Sequence, residues 1–143
     1  MSANQLFCFK EENNMRSNQK FFFCKHCGNM TGLITDKGVP MMCCGEKMVE
    51  LVPNTVEASM EKHLPVVNKV GADKISVQIG SALHPMEKEH HIAFVYVETE
   101  KGGQRKCLNV GEKPSLEFCF SNDMPLAVYA HCNLHGLWKT EVK

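Results

Sequence analysis

The sequence contains no apolar run close to the roughly 20 residues that span a bilayer, and 16 Lys and Arg offset 16 Asp and Glu. The first absence excludes a membrane-crossing helix. The second removes the charge excess that would point to a nucleic acid or a membrane surface as partner, so attraction of a charged ligand has to be local. The opening stretch, MSANQLFCFKEENNMRSNQK, lacks the apolar segment of a secretory signal. A cytoplasmic chain is therefore the expectation. Helical periodicity is almost missing too, which leaves strands to build the fold. The 143 residues suit one ordinary domain, or a small domain with a compact partner.

Cysteine, by contrast, is plentiful: there are eight. In a reducing compartment thiols serve metals or redox chemistry more often than disulfides. Cys24-x-x-Cys27 is followed, after fifteen intervening residues, by the adjacent Cys43 and Cys44 in MMCCGEK. Neighbouring side chains of an extended segment point opposite ways, so both serve one centre only if the backbone bends sharply around it. Four thiolates from two loops suit one tetrahedral metal, iron or zinc. The adjacent pair lacks the two spacer residues of a second C-x-x-C, and a distorted tetrahedron is expected. His26, inside the first knuckle, is read as facing outward. Cys8 reads as an incidental free thiol, and Cys107 and Cys119 read as structural thiols within strands.

Three segments follow from composition. Residues 1–20 are polar and patternless and read as a mobile tail, with Met15 an alternative start. Residues 21–54 form a small unit of short strands and turns, punctuated by Gly28, Gly32, Gly38 and Gly45 and closed by Pro53. So short a unit buries too little apolar surface to fold without a metal or a partner. Residues 55–143 carry period-two alternation: Ile75, Val77 and Ile79; Leu116, Phe118 and Phe120; Leu126, Val128 and Ala130. HIAFVYVET is nearly continuous in apolar residues and reads as a central strand. Short strands between turn signals indicate an antiparallel β-sandwich.

The same segment holds a second set of metal-binding residue types. Six of the seven histidines lie in three short motifs: His63 in MEKHLP, His84, His90 and His91 in HPMEKEHHI, and His131 and His135 beside Cys132 in HCNLHG. Neutral imidazoles suit iron, copper, zinc and nickel, and a thiolate narrows the choice toward a softer, redox-tuned site.

These motifs carry a resemblance. Cys24-x-x-Cys27 with Cys43-Cys44-Gly45 resembles the desulforedoxin module, whose iron is held by four cysteine thiolates. From about residue 20 to residue 143 the chain resembles desulfoferrodoxin, a superoxide reductase that joins such a module to an immunoglobulin-like sandwich. The resemblance implies an all-β fold with iron at two mononuclear sites, zinc being possible at Cys24, Cys27, Cys43 and Cys44. It implies equatorial imidazoles from His63, His84, His90 and His135, an axial thiolate from Cys132, and His91 and His131 as bystanders. The thiolate donates electron density toward the open sixth position, where superoxide is reduced to hydrogen peroxide. Lys62 would draw in the anion and steady a proton-delivering water, and Glu61 would occupy the sixth position of the ferric state. Each turnover consumes one electron, so a donor such as a rubredoxin-like protein is implied. A homodimer is implied as well, because such modules commonly pair and pairing covers open strand edges. Two other readings stand beside this one. One is a rubredoxin-like electron-transfer protein working through the four-cysteine iron, with the sandwich as scaffold. The other is a metal-dependent sensor or structural zinc protein.

Overall fold

The computed structural model describes residues 19–143, so Cys8 and Met15 lie outside the described residues. Alternation of Ile75, Val77 and Ile79 becomes β7 (Lys74–Ile79), with all three side chains buried. It pairs with β6 (Pro65–Lys69) and β10 (Ser115–Cys119) in a three-stranded sheet. The facing sheet has four strands in the order β12 (Gly136–Glu141), β11 (Pro125–Cys132), β8 (Ile92–Thr99) and β9 (Gly102–Cys107). All pairings are antiparallel. Ile75, Val77, Ile79, Val95, Val97, Phe118, Val128 and Ala130 fill the space between the sheets.

The nearly continuous apolar run of β8 has a structural reason: both faces of its sheet are covered. Val95 and Val97 point into the sandwich, whereas Phe94 and Tyr96 point outward under a second layer. That layer is a small module. Its sheet places β1 (Lys20–Phe23) between β2 (Met30–Leu33) and β5 (Val49–Glu50), and a hairpin of β3 (Met42–Cys43) and β4 (Glu46–Lys47) stands beside it. Phe21 of β1 seats on the sandwich with ring centroids 5.6 Å from Phe94, 5.5 Å from Tyr96 and 5.8 Å from Tyr129. These separations lie within the range in which aromatic pairs attract.

Two expectations need correction. Gln19 and Lys20 are not tail. Lys20 opens β1 opposite Leu33, and Gln19 donates its backbone N–H to the Glu98 carboxylate at 3.2 Å and its amide to the Leu33 carbonyl at 3.1 Å. Cys107 and Cys119 are exposed, because each closes an edge strand at an outward-facing position, so neither packs in the core.

Antiparallel pairing gathers the histidine motifs at one end of the sandwich. Pro65 lies opposite Ile79 and Cys132 opposite Ile92. The segments before β6, between β7 and β8, and between β11 and β12 therefore meet there. The first of them contains the single helical turn among the described residues, α1 (Met60–His63).

Candidate metal centres

The four-cysteine site is built from two tight turns. In the first, the Cys24 N–H donates to the Asn29 carbonyl at 2.8 Å and the Gly28 N–H donates to the Cys24 carbonyl at 2.9 Å. The second is the two-residue connection of the β3–β4 hairpin, in which Cys43 pairs with Glu46. Its central residues, Cys44 and Gly45, have φ of 52° and 75°. Positive φ at both central positions is the requirement of a type I′ hairpin turn. This is the sharp bend that lets adjacent thiols face one point. The Sγ atoms of Cys27 and Cys43 are 3.6 Å apart and those of Cys43 and Cys44 are 4.0 Å apart. All four sulfurs lie within 4.8 Å of one another. Cys24 is lowered to about 6, chiefly by the Cys27 backbone N–H, while its contacts with Cys27 and Cys24 push Cys44 up to about 12. Such a cluster takes one negative charge readily and resists more until a cation shares the sulfurs. His26 stays outside, paired with Glu46 at 3.0 Å.

The second cluster is more deeply buried. Donor atoms of His63, His90, Cys132 and His135 all lie within 4.8 Å of one another. His63 Nε2 approaches His135 Nδ1 to 3.0 Å, and Cys132 Sγ lies 3.7 Å from the same atom. His84 falls outside that tight group, yet its ring centroid is 4.8 Å from His63 and 4.6 Å from His90. The backbone fixes two of the rings. His63 Nδ1–H donates to the Ser59 carbonyl at 2.6 Å, and His84 Nδ1–H donates to the Pro85 carbonyl at 2.7 Å. Because a carbonyl only accepts, each ring keeps a bare Nε2 for the cluster. The indole of Trp138 stacks on His63 at 4.8 Å and donates its N–H to the His135 carbonyl at 3.1 Å. Asn133 ties the loop of His90 to the end of β11, accepting the His91 N–H and donating to the Glu89 carbonyl.

The donor set fits a metal. Among the described residues the buried Nε2 atoms of His84 and His90 find no hydrogen-bond partner, a costly condition that a bound cation relieves. Burial lowers the pKa of His63 and of His90 and brings His84 to about 4, so these rings stay in the neutral, ligating form. Burial raises the Cys132 thiol, and the backbone N–H groups of His135 and Leu134 offset part of that rise. His131 is excluded by strand alternation. It lies on the opposite face of β11 from Cys132 and stacks on Phe94 with centroids 5.6 Å apart. His91 is likewise engaged elsewhere, 3.1 Å from the Glu87 carbonyl.

Residues 55–141 match the family model described as Desulfoferrodoxin. The chain belongs to the desulfoferrodoxin family. A desulfoferrodoxin of Syntrophotalea carbinolica is 39% identical over 128 residues, covering 89% of this chain and 99% of that one. That of Nitratidesulfovibrio vulgaris is 36% identical over 127 residues, with the same coverages. Among solved structures, the superoxide reductase from Treponema pallidum superposes with a TM-score of 0.72 at 35% identity, covering 87% of this chain and 99% of that one. The fold expected from the sequence, a small desulforedoxin-like module followed by an immunoglobulin-like antiparallel sandwich, agrees with this desulfoferrodoxin architecture.

Glu61 and Lys62 are exposed on α1, directly before buried His63. Their side chains have no hydrogen-bond or ion-pair partner among the described residues, whereas the Glu61 carbonyl is gripped by the Ser81 N–H at 2.8 Å. Sequence reasoning missed several positioning groups of the desulfoferrodoxin fold: the Ser59 and Pro85 carbonyls, Gly80 and Trp138. Backbone carbonyls leave no residue-type signal. Trp138, as the one tryptophan and close behind CNLHG, was the findable member.

Proposed function

We propose that this chain is a superoxide reductase with iron at two mononuclear centres. His63, His84, His90, His135 and Cys132 hold the active iron, and Cys24, Cys27, Cys43 and Cys44 hold the other, where zinc also fits. The observation that carries the reading is the convergence of four imidazoles and one thiol, two of whose nitrogens are buried with no hydrogen-bond partner among the described residues. Ferrous iron in that set supplies the single electron that, with two protons, turns superoxide into hydrogen peroxide. The chain's own groups do the rest. Ser59 and Pro85 hold His63 and His84 in the ligating tautomer, and Trp138 stiffens the His63 ring. Cys132 brings a thiolate into an enclosed site. Lys62 raises the local concentration of the anion and steadies a proton-delivering water, and Glu61 caps the site in the oxidised state.

The division of the chain follows from this: an iron module that begins with β1 at Lys20 and runs to residue 54, and a reductase sandwich over 55–143. A one-electron reaction without internal recycling needs an outside reductant, for which a rubredoxin-like protein is the candidate. The short strands of the module leave open edges, which supports a homodimer. A cytoplasmic antioxidant role completes the proposal. Changing Cys43→Ser tests the division of labour. Iron falls from two to about one per chain and the module loses folding energy, while superoxide reduction persists. Complete loss of activity with iron retained in the sandwich would refute it.

A further inference from the structure

The outer face of the four-stranded sheet is only partly covered. Phe21 closes it over Tyr96 and Tyr129, but beside Phe94 a cleft of about 370 Å³ remains between module and sheet. One wall is the parallel pair of rings formed by Phe94 and His131, 5.6 Å apart and inclined by 7°. The other comes from the module, through Phe21, Phe23 and Met30. Arg105 also lines the cleft, set on the same face by its pairing with Tyr96, and its guanidinium has no hydrogen bond or ion pair among the described residues. None of the residues lining the cleft is acidic.

We propose that this cleft binds a small planar aromatic anion, a fused-ring carboxylate or sulfonate. A lining of mostly apolar side chains rich in rings favours an aromatic body. A charge-bearing edge answers the unpaired guanidinium, which forms its strongest contacts with planar two-oxygen acceptors. The volume is ordinary for a ligand site. Gly28, next to Cys27, and Asn133, next to Cys132, both line it, so the cleft borders residues adjacent in sequence to each metal-binding cluster. The inference depends on neither the metal loaded nor the superoxide reading.

Calorimetric titration of the metal-loaded protein with 2-naphthalenesulfonate and its neutral analogue 2-naphthalenemethanol tests it. One sulfonate binds per chain with Kd on the order of tens of micromolar, and the alcohol binds about tenfold more weakly. Arg105→Gln weakens the sulfonate by about the same factor and leaves the alcohol unchanged. Thr31→Trp, which fills the cleft from β2, abolishes both. Unaltered melting and metal content certify each variant, and if Thr31→Trp fails to fold, the contrast at Arg105 still decides. Equal affinity for the two probes, no saturation, or indifference to Arg105→Gln would overturn the proposal.

Discussion

Lys62 and Glu61 are neighbours on one helical turn, yet they should fail differently. Lys62→Ala removes an exposed positive charge beside a ligand without touching the ligand set. The encounter rate with superoxide should fall by about tenfold and its dependence on ionic strength should flatten. Glu61→Ala should leave that rate nearly unchanged and alter the visible spectrum of the oxidised protein. Pulse radiolysis across a salt series, with spectra of both variants, measures the difference. Equal slowing by the two substitutions would remove the distinction between steering and capping. At this scale the sequence was most legible. Cysteine spacing marked the four thiols that gather in space, and the resemblance to desulfoferrodoxin singled out His63, His90, Cys132 and His135, with His84 beside them. What spacing did not convey was hierarchy: His84 stands slightly apart from the tight group, and two main-chain carbonyls set the tautomers.

The elements were legible where burial is one-sided or complete. β7, β8, β10 and β11 announced themselves by alternation or by an unbroken apolar run. β9 did not, because GGQRKC is an exposed edge, and β12 did not, because Leu137 and Trp138 are adjacent and both buried. A four-residue helix is far shorter than the window of roughly 11–18 residues over which helical periodicity is read. That turn depends on Gly80, whose φ is +81° and whose N–H donates to the Leu64 carbonyl at 3.1 Å. A Cβ there would meet the carbonyl oxygens of Ala82 and Lys62, the latter at 2.7 Å. In Gly80→Ala the left-handed backbone alone costs roughly 1–2 kcal/mol, and the contact displaces α1. Differential scanning calorimetry should register a Tm lower by ~5–10 °C. Metal titration should find the histidine site weakened and the four-cysteine site intact.

For the whole molecule, the open question from sequence was how two units join, and composition carried no hint of it. The answer lies in Phe21, which reads as one of three consecutive phenylalanines but is the one that seats on Phe94, Tyr96 and Tyr129. Glu98 reinforces the seam by accepting from the Tyr129 hydroxyl at 3.0 Å and from the Gln19 N–H. Phe21→Ala should cost on the order of 3 kcal/mol and expose the module to proteolysis, visible as early cleavage near β1. Because the histidine site lies at the end of the sandwich and takes no ligand from the module, superoxide reduction by the sandwich iron should survive. The proposed function makes this chain a reductase of superoxide and not a dismutase. A pulse of superoxide into the fully ferrous protein measures it, with iron oxidation, hydrogen peroxide and dioxygen followed together. The expected result is one hydrogen peroxide for each histidine-site iron oxidised, with no dioxygen from that reaction, and loss of the fast phase in Cys132→Ser. Dioxygen released alongside peroxide, with no net oxidation of the iron, would contradict it.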